Sequence, residues 1–131
     1  MDEASQTYTN VPLLEGLGKI VAELMREHTP NLIVSENTPF LNVVSHVITR
    51  ELQANRATAE VDLGVLKIEP EFVSSGTIAF IHTYPVESTE LVAIKHHLQS
   101  KSKKLILVRI SAEGTPEEVN DFTLNLALAE G

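Results

Sequence analysis

A chain of 131 residues with 43% apolar and 21% charged side chains is long enough to remove roughly two thirds of its unfolded surface from water and too apolar to stay disordered. It has no cysteine, which excludes disulfides, thiolate nucleophiles and cysteine-held zinc or iron–sulfur centres. Eighteen acidic against ten basic residues leave a net charge of −8, a field that repels polyanions and disfavours binding along a nucleic-acid backbone.

The opening stretch, "MDEASQTYTN", is polar and acidic, unlike a secretory signal, and no apolar run approaches the ~18 residues of a membrane span. The expectation is a single cytoplasmic domain over residues 1–131, with residues 1–10 a flexible tail and no membrane contact. Residues 11–28 place Leu13, Leu17, Ile20, Val21 and Leu24 on one stripe at helical spacing, and "TPN" stops that helix. "NLIVSEN" (31–37) reads as a short buried strand. A second helix over about 38–55 follows, with Thr38 as its cap, Pro39 in the first turn and Leu41, Val44, Ile48 and Leu52 on its apolar face.

In "ATAEVDLGVLKIE" (57–69) an alternating pattern changes phase at Gly64, which predicts one strand with a bulge or bend there. "PEFVSSG" turns the chain, and "TIAFIHTY" (77–84) is expected to run back as the antiparallel partner of a hairpin. Ser88 caps a third helix whose stripe is Leu91, Ile94 and Leu98, and "KLILVRI" (104–110) is a strand with apolar residues on both faces. "SAEGTPEEVND" is a connection with at most one helical turn. Phe122, Leu124, Leu126 and Leu128 fall at period two, which predicts a last strand.

The central order, strand-helix-strand-strand-helix-strand, predicts an α+β ferredoxin-like sandwich with an added N-terminal helix and a C-terminal strand. There the apolar strand at 104–110 lies at an edge, and the last strand covers it. The element order of residues 31–64 and 88–129 is also similar to that of the Alba-type nucleic-acid-binding fold, which gives an alternative, Alba-like α/β reading. In place of the glycine-rich, basic connection of such proteins this chain carries "VLKIEPEFVSSGTIAFIHTYP".

No phosphate loop, nucleophile elbow, H-E-x-x-H or calcium loop is present, so no catalytic residue, metal or cofactor is assigned. Three groupings carry chemistry. His82 shares a strand face with Phe80 and Tyr84, and His82 with Tyr84 marks a candidate pocket. Glu60 and Asp62, at i and i+2, share a strand face, with Lys67 on the other face unless a bulge at Gly64 turns it back; an alternating solvated face explains them best. The adjacent His96 and His97 differ by ~100° on a helix and make a poor chelate.

The third grouping is the segment "AIKHHLQSKSKKLILVR" (93–109), which holds five of the ten basic residues and no acid. Helix-end lysines oppose the macrodipole, which accounts for Lys101 and Lys103 but not for Lys95, Lys104 and Arg109. Lys95, His97, Lys101, Lys103, Lys104 and Arg109 are therefore the candidate contacts for an anionic partner. The leading expectation is a non-catalytic, self-associating assembly or regulatory module, a homo-oligomer whose basic segment 95–109 meets an acidic protein partner or a second subunit. One alternative is a nucleic-acid or phosphate-ligand binding protein, with nucleic acid disfavoured by net charge. The other is a small enzyme with a histidine at a subunit interface.

Overall fold

The computed structural model describes residues 10–73, 75–112 and 114–129; the tail expected over residues 1–10 lies outside these, apart from Asn10. Asn10 caps the first helix by accepting the Leu13 N–H, and α1 runs Val11–Met25 with Leu13, Leu14, Leu17, Val21 and Met25 buried. A 3-10 turn, Arg26–His28, ends it. β1 (Leu32–Glu36) leads into α2 (Pro39–Leu52), where the Thr38 hydroxyl accepts the Leu41 N–H. Then come β2 (Asn55–Asp62), β3 (Val65–Glu69), β4 (Ser75–His82), α3 (Thr89–Ser100), β5 (Ser102–Ala112) and β6 (Phe122–Leu128).

The six strands form one sheet in the order β3-β2-β1-β4-β5-β6. β1 pairs parallel with both β2 and β4, and β4 parallel with β5, while β3 and β6 close the two edges as antiparallel hairpin partners. This is a doubly wound α/β sheet and corrects the ferredoxin-like α+β sandwich expected from the sequence, which has four antiparallel strands and both helices on one face. The Alba-like alternative fails as well, because it passes over residues 65–87, and β4 within them lies at the centre of the sheet.

The correction originates at Leu63 and Gly64. Both have positive φ, 52° and 79°, and together they form the two-residue turn of a β2–β3 hairpin in which Asp62 faces Val65. What reads as one bulged strand is two, so β4 is released from that hairpin and enters the sheet between β1 and β5. β1, β4 and β5 are near-continuous apolar runs because both of their faces are covered, the mark of a parallel sheet. A leucine in the left-handed region costs about 1 kcal/mol or more that a glycine or asparagine there avoids. Leu63 is nonetheless 96% exposed and gains no burial in return.

α1 and α2 cover one face, packing on Ile33, Ala79, Ile81, Ile106, Val108 and Ile110. α3 covers the other, with Leu91, Ile94 and Leu98 against Val34, Ala57, Ala59, Ile78, Phe80 and Leu105. The two crossovers leave the centre of the sheet in opposite directions, so crossovers of one hand put α2 and α3 on opposite faces. On the α1/α2 side the sheet is roofed as far as β6, through Phe122, Leu124 and Leu126. On the α3 side the one helix lies over the centre, and Thr123, Asn125 and Ala127 of β6 stay exposed.

Candidate anion-binding cleft

In a doubly wound sheet, ligands enter at the carboxyl ends of the strands where the winding reverses. Here that point lies between β1 and β4, at Glu36 and His82. The chain fills it with its own carboxylates. Glu36 Oε1 accepts from both the Thr83 N–H and the Thr83 hydroxyl at 2.9 Å. At the first turn of α3 the Ser88 hydroxyl donates to Glu90 Oε2 at 2.8 Å, which holds the Glu90 carboxyl below its ordinary pKa. The anion site that a helix N-terminus offers is thereby taken.

The open volume lies one strand further on. Between α3 and the uncovered β5–β6 surface is a cleft of about 320 Å³. Val86, Leu91, Val92, Leu107 and Ala127 give it apolar walls, and Asn125 closes one side. Lys95 enters from α3, Arg109 from β5 and His82 from β4, and none of the described residues lining it is acidic. The register explains the meeting. His82 pairs with Arg109 and Arg109 with Asn125, so the three side chains point out of the same sheet face on adjacent strands. Lys95 stands one helical turn from Leu91, on the flank of α3 that overlooks β5.

Arg109 is aimed by its own strand's neighbour: its Nε donates to the Tyr84 carbonyl at 2.9 Å, which leaves the rest of the guanidinium to the cleft. Among the described residues the ion pairs involve neither Arg109 nor Lys95. Arg109 also borders a second recess of about 400 Å³ with Ser111, Asp121 and Thr123. The carboxylate of Asp121 is engaged there by the N–H groups of Glu117 and Glu118, which hold it below its ordinary pKa.

His82 is 2% exposed and stacks between Phe80 at 5.2 Å and Tyr84 at 6.0 Å, ring centre to centre. Burial, and then the charge of Arg109, lower its pKa to about 4. It is neutral at pH 7. Its Nδ1 accepts the Tyr84 N–H at 3.1 Å, so the ring proton is assigned to Nε2. Such an imidazole offers a hydrogen bond to an acceptor and is a poor general base, since its basic nitrogen is turned into the strand. Tyr84, the other half of the pocket expected from the sequence, stacks on His82 and does not line the cleft. Burial, and then Glu36, Glu90 and Glu60, push its phenol up to about 12.

The remaining basic residues disperse. His97 and Lys101 lie on the β3 side of α3, around a recess of about 260 Å³ with Leu66, Ile68, Glu71 and Phe72. Burial, and then Lys101, lower the His97 pKa. Lys101 Nζ donates to the Phe72 carbonyl at 2.9 Å and sits 5.3 Å from the centre of its ring. Lys103 is exposed, and Lys104 reaches His28 Nδ1 at 2.8 Å beyond the end of α1. His96 is exposed. Lys67 faces Glu60 across the β2–β3 ladder and pairs with Asp62 at 3.4 Å. Among the described residues no three His, Asp or Glu side chains converge as metal ligands would.

The sequence groups Lys95 and Arg109 in one candidate basic surface and sets His82 apart, in a pocket with Tyr84; the fold brings the three together. Sequence reasoning missed Val92, Leu107, Asn125 and Ala127. The one sequence signal for them was Val92, an apolar residue off the buried stripe of α3 and exposed to solvent.

No family model and no curated protein sequence matches the chain. Among solved structures it is similar to a purine phosphoribosyltransferase from Pyrococcus horikoshii Ot3, with a TM-score of 0.50 and 12% identity over 72% of this chain and 68% of that one. At that identity the likeness is one of fold: it supports the α/β sheet with parallel central strands. No described helix is long and apolar enough to cross a membrane.

Proposed function

We propose that the chain is a non-catalytic binding module for an anion with an apolar body. The anionic head meets Lys95 and Arg109, and the body lies against Val92, Leu107 and Ala127. The observation that carries the reading is the convergence of two cations on one apolar cleft with no acid among its described lining residues, in a chain whose net charge is −8. Such a site combines apolar contact area with a few placed polar groups, as ligand clefts do. His82 adds a neutral N–H donor that survives at physiological pH. Binding rather than turnover suits this set, because no hydroxyl, thiol or carboxylate is among the described lining residues and the histidine is a poor base. The name of the structural neighbour offers one example of the ligand class, since a phosphoribosylated purine has a flat body and an anionic head. A nucleic acid is served less well, because Lys95, Lys101 and Lys104 face three separate regions of the molecule. The cytoplasmic setting expected from the cysteine-free sequence is part of this proposal.

Titration calorimetry with 1-naphthyl phosphate and inorganic phosphate tests it. The naphthyl ester is expected to bind, to weaken as salt rises, and to lose roughly 10- to 100-fold in affinity in Arg109→Gln, the worth of a charged hydrogen bond. Inorganic phosphate is expected to bind more weakly. Equal affinity for the two ligands, or no change in Arg109→Gln, would contradict the reading.

A further inference from the structure

Leu63 combines two costs with no return among the described residues. It holds a left-handed backbone, φ 52°, at the tip of the β2–β3 hairpin, where asparagine or glycine is at ease, and it presents a branched apolar side chain that is 96% exposed. Val65 beside it is 57% exposed. The hairpin and its exit, residues 60–71, carry Glu60, Asp62, Glu69 and Glu71 against Lys67 alone. The tip is thus an apolar knob on an acidic stem. The cleft has the opposite character, an apolar hollow of about 320 Å³ with Lys95 and Arg109 and no acid among its described lining residues. A leucine side chain fits such a volume with room to spare.

The knob cannot reach the cleft of its own molecule. From β2 to β5 is three strand spacings, ~14 Å across the sheet, and the hairpin belongs to the far edge. The contact has to be between copies. A two-fold arrangement of cleft against cleft would set Lys95 and Arg109 against themselves, which like charges oppose. Head-to-tail docking sets opposite charges together instead. Asp62, held among the described residues by an exposed 3.4 Å pair to Lys67, can turn to the cations of the next copy.

We infer that the occupant of the cleft is the β2–β3 hairpin of a second copy of this chain, with Leu63 in the apolar hollow and Asp62 and Glu60 toward Lys95 and Arg109. The inference rests on the reading of the cleft as an apolar site for anions and names its partner. Exchanged reciprocally, this contact closes a two-fold dimer; repeated head to tail, it gives a ring or an open filament. A small anion with an apolar body competes for the same cleft and dissolves the assembly.

Sedimentation velocity of the full chain at low salt, over a range of micromolar concentrations, tests the inference with two variants. Leu63→Asn suits the turn and leaves the cleft untouched, while Lys95→Gln/Arg109→Gln leaves the hairpin untouched. The parent is expected as species larger than a monomer that shrink on adding 1-naphthyl phosphate, and each variant alone as a monomer. A mixture of the two variants is expected to form a one-to-one dimer that grows no further, because each supplies the surface the other lacks. A monomeric parent, or assembly of Leu63→Asn equal to the parent's, overturns the inference. If Leu63→Asn still binds 1-naphthyl phosphate in that case, the cleft reading stands without the docking; if it does not, both fall.

Discussion

His82 is where position and chemistry are most tightly joined. The unfolded chain carries a histidine of pKa near 6.5, and the folded one a buried ring of pKa about 4, so between those values the unfolded state binds more protons. Stability from this group is full above pH 6.5 and is lost as pH falls toward 4, roughly 2 kcal/mol of it between pH 7 and pH 5. His82→Phe keeps the aromatic stack and removes the titration. The variant is expected to start lower at pH 7, because the Tyr84 N–H loses its acceptor, yet to fall less than the parent on going to pH 5, as read from urea midpoints. Equal losses in parent and variant would mean that the ring is solvated enough to charge in place. Ser35 presents the simpler buried polar group, a hydroxyl in β1 with no hydrogen-bond partner among the described residues. Nothing in the arrangement explains it.

At the scale of elements, the pairing of α1 with α2 depends on Gly18. A Cβ there would stand 2.7 Å from Val47 Cβ and 3.1 Å from the Val44 carbonyl. Gly18→Ala ought to gain about 1 kcal/mol of helix propensity, but the collision between helices outweighs it, and a net loss of about 1–3 kcal/mol is expected in denaturant unfolding. Val47→Ala should restore part of that loss in the double variant, because it removes the Val47 Cγ1 that would stand 2.8 Å from the new Cβ. A Gly18→Ala chain more stable than the parent would place the two helices further apart. The helices were legible in the sequence because their stripes and caps are local: Thr38 and Ser88 cap where the pattern begins. The sheet was less legible. Leu63 stands where a turn-former would have announced the hairpin, so two strands read as one and the parallel pairing of β4 was hidden. The apolar faces of "KLILVRI" did signal a strand covered on both sides, a feature that an open antiparallel edge does not explain.

For the molecule as a whole, charge is distributed by topology more than by sequence. The basic stretch 93–109 spans a helix and the strand that follows it, so its members leave in different directions, and two of them meet only because α3 lies over the junction of β4 and β5. His82 joins them through a parallel register that no local pattern encodes. The site was thus named residue by residue and assembled only by the fold. Glu60 and Asp62 at the end of β2, with Glu69 and Glu71 after β3, give the β2–β3 hairpin an acidic character that the described lining of the cleft lacks. That local contrast underlies the contact proposed between copies. The location of the cleft is open to a direct measurement, the map of backbone amide shifts in the full chain on adding 1-naphthyl phosphate. Changes are expected along Val86–Lys95, at Leu107 and Arg109, and at Asn125 and Ala127. Changes confined to the turn between β1 and α2, or to the His97–Lys101 side of α3, would contradict the assignment.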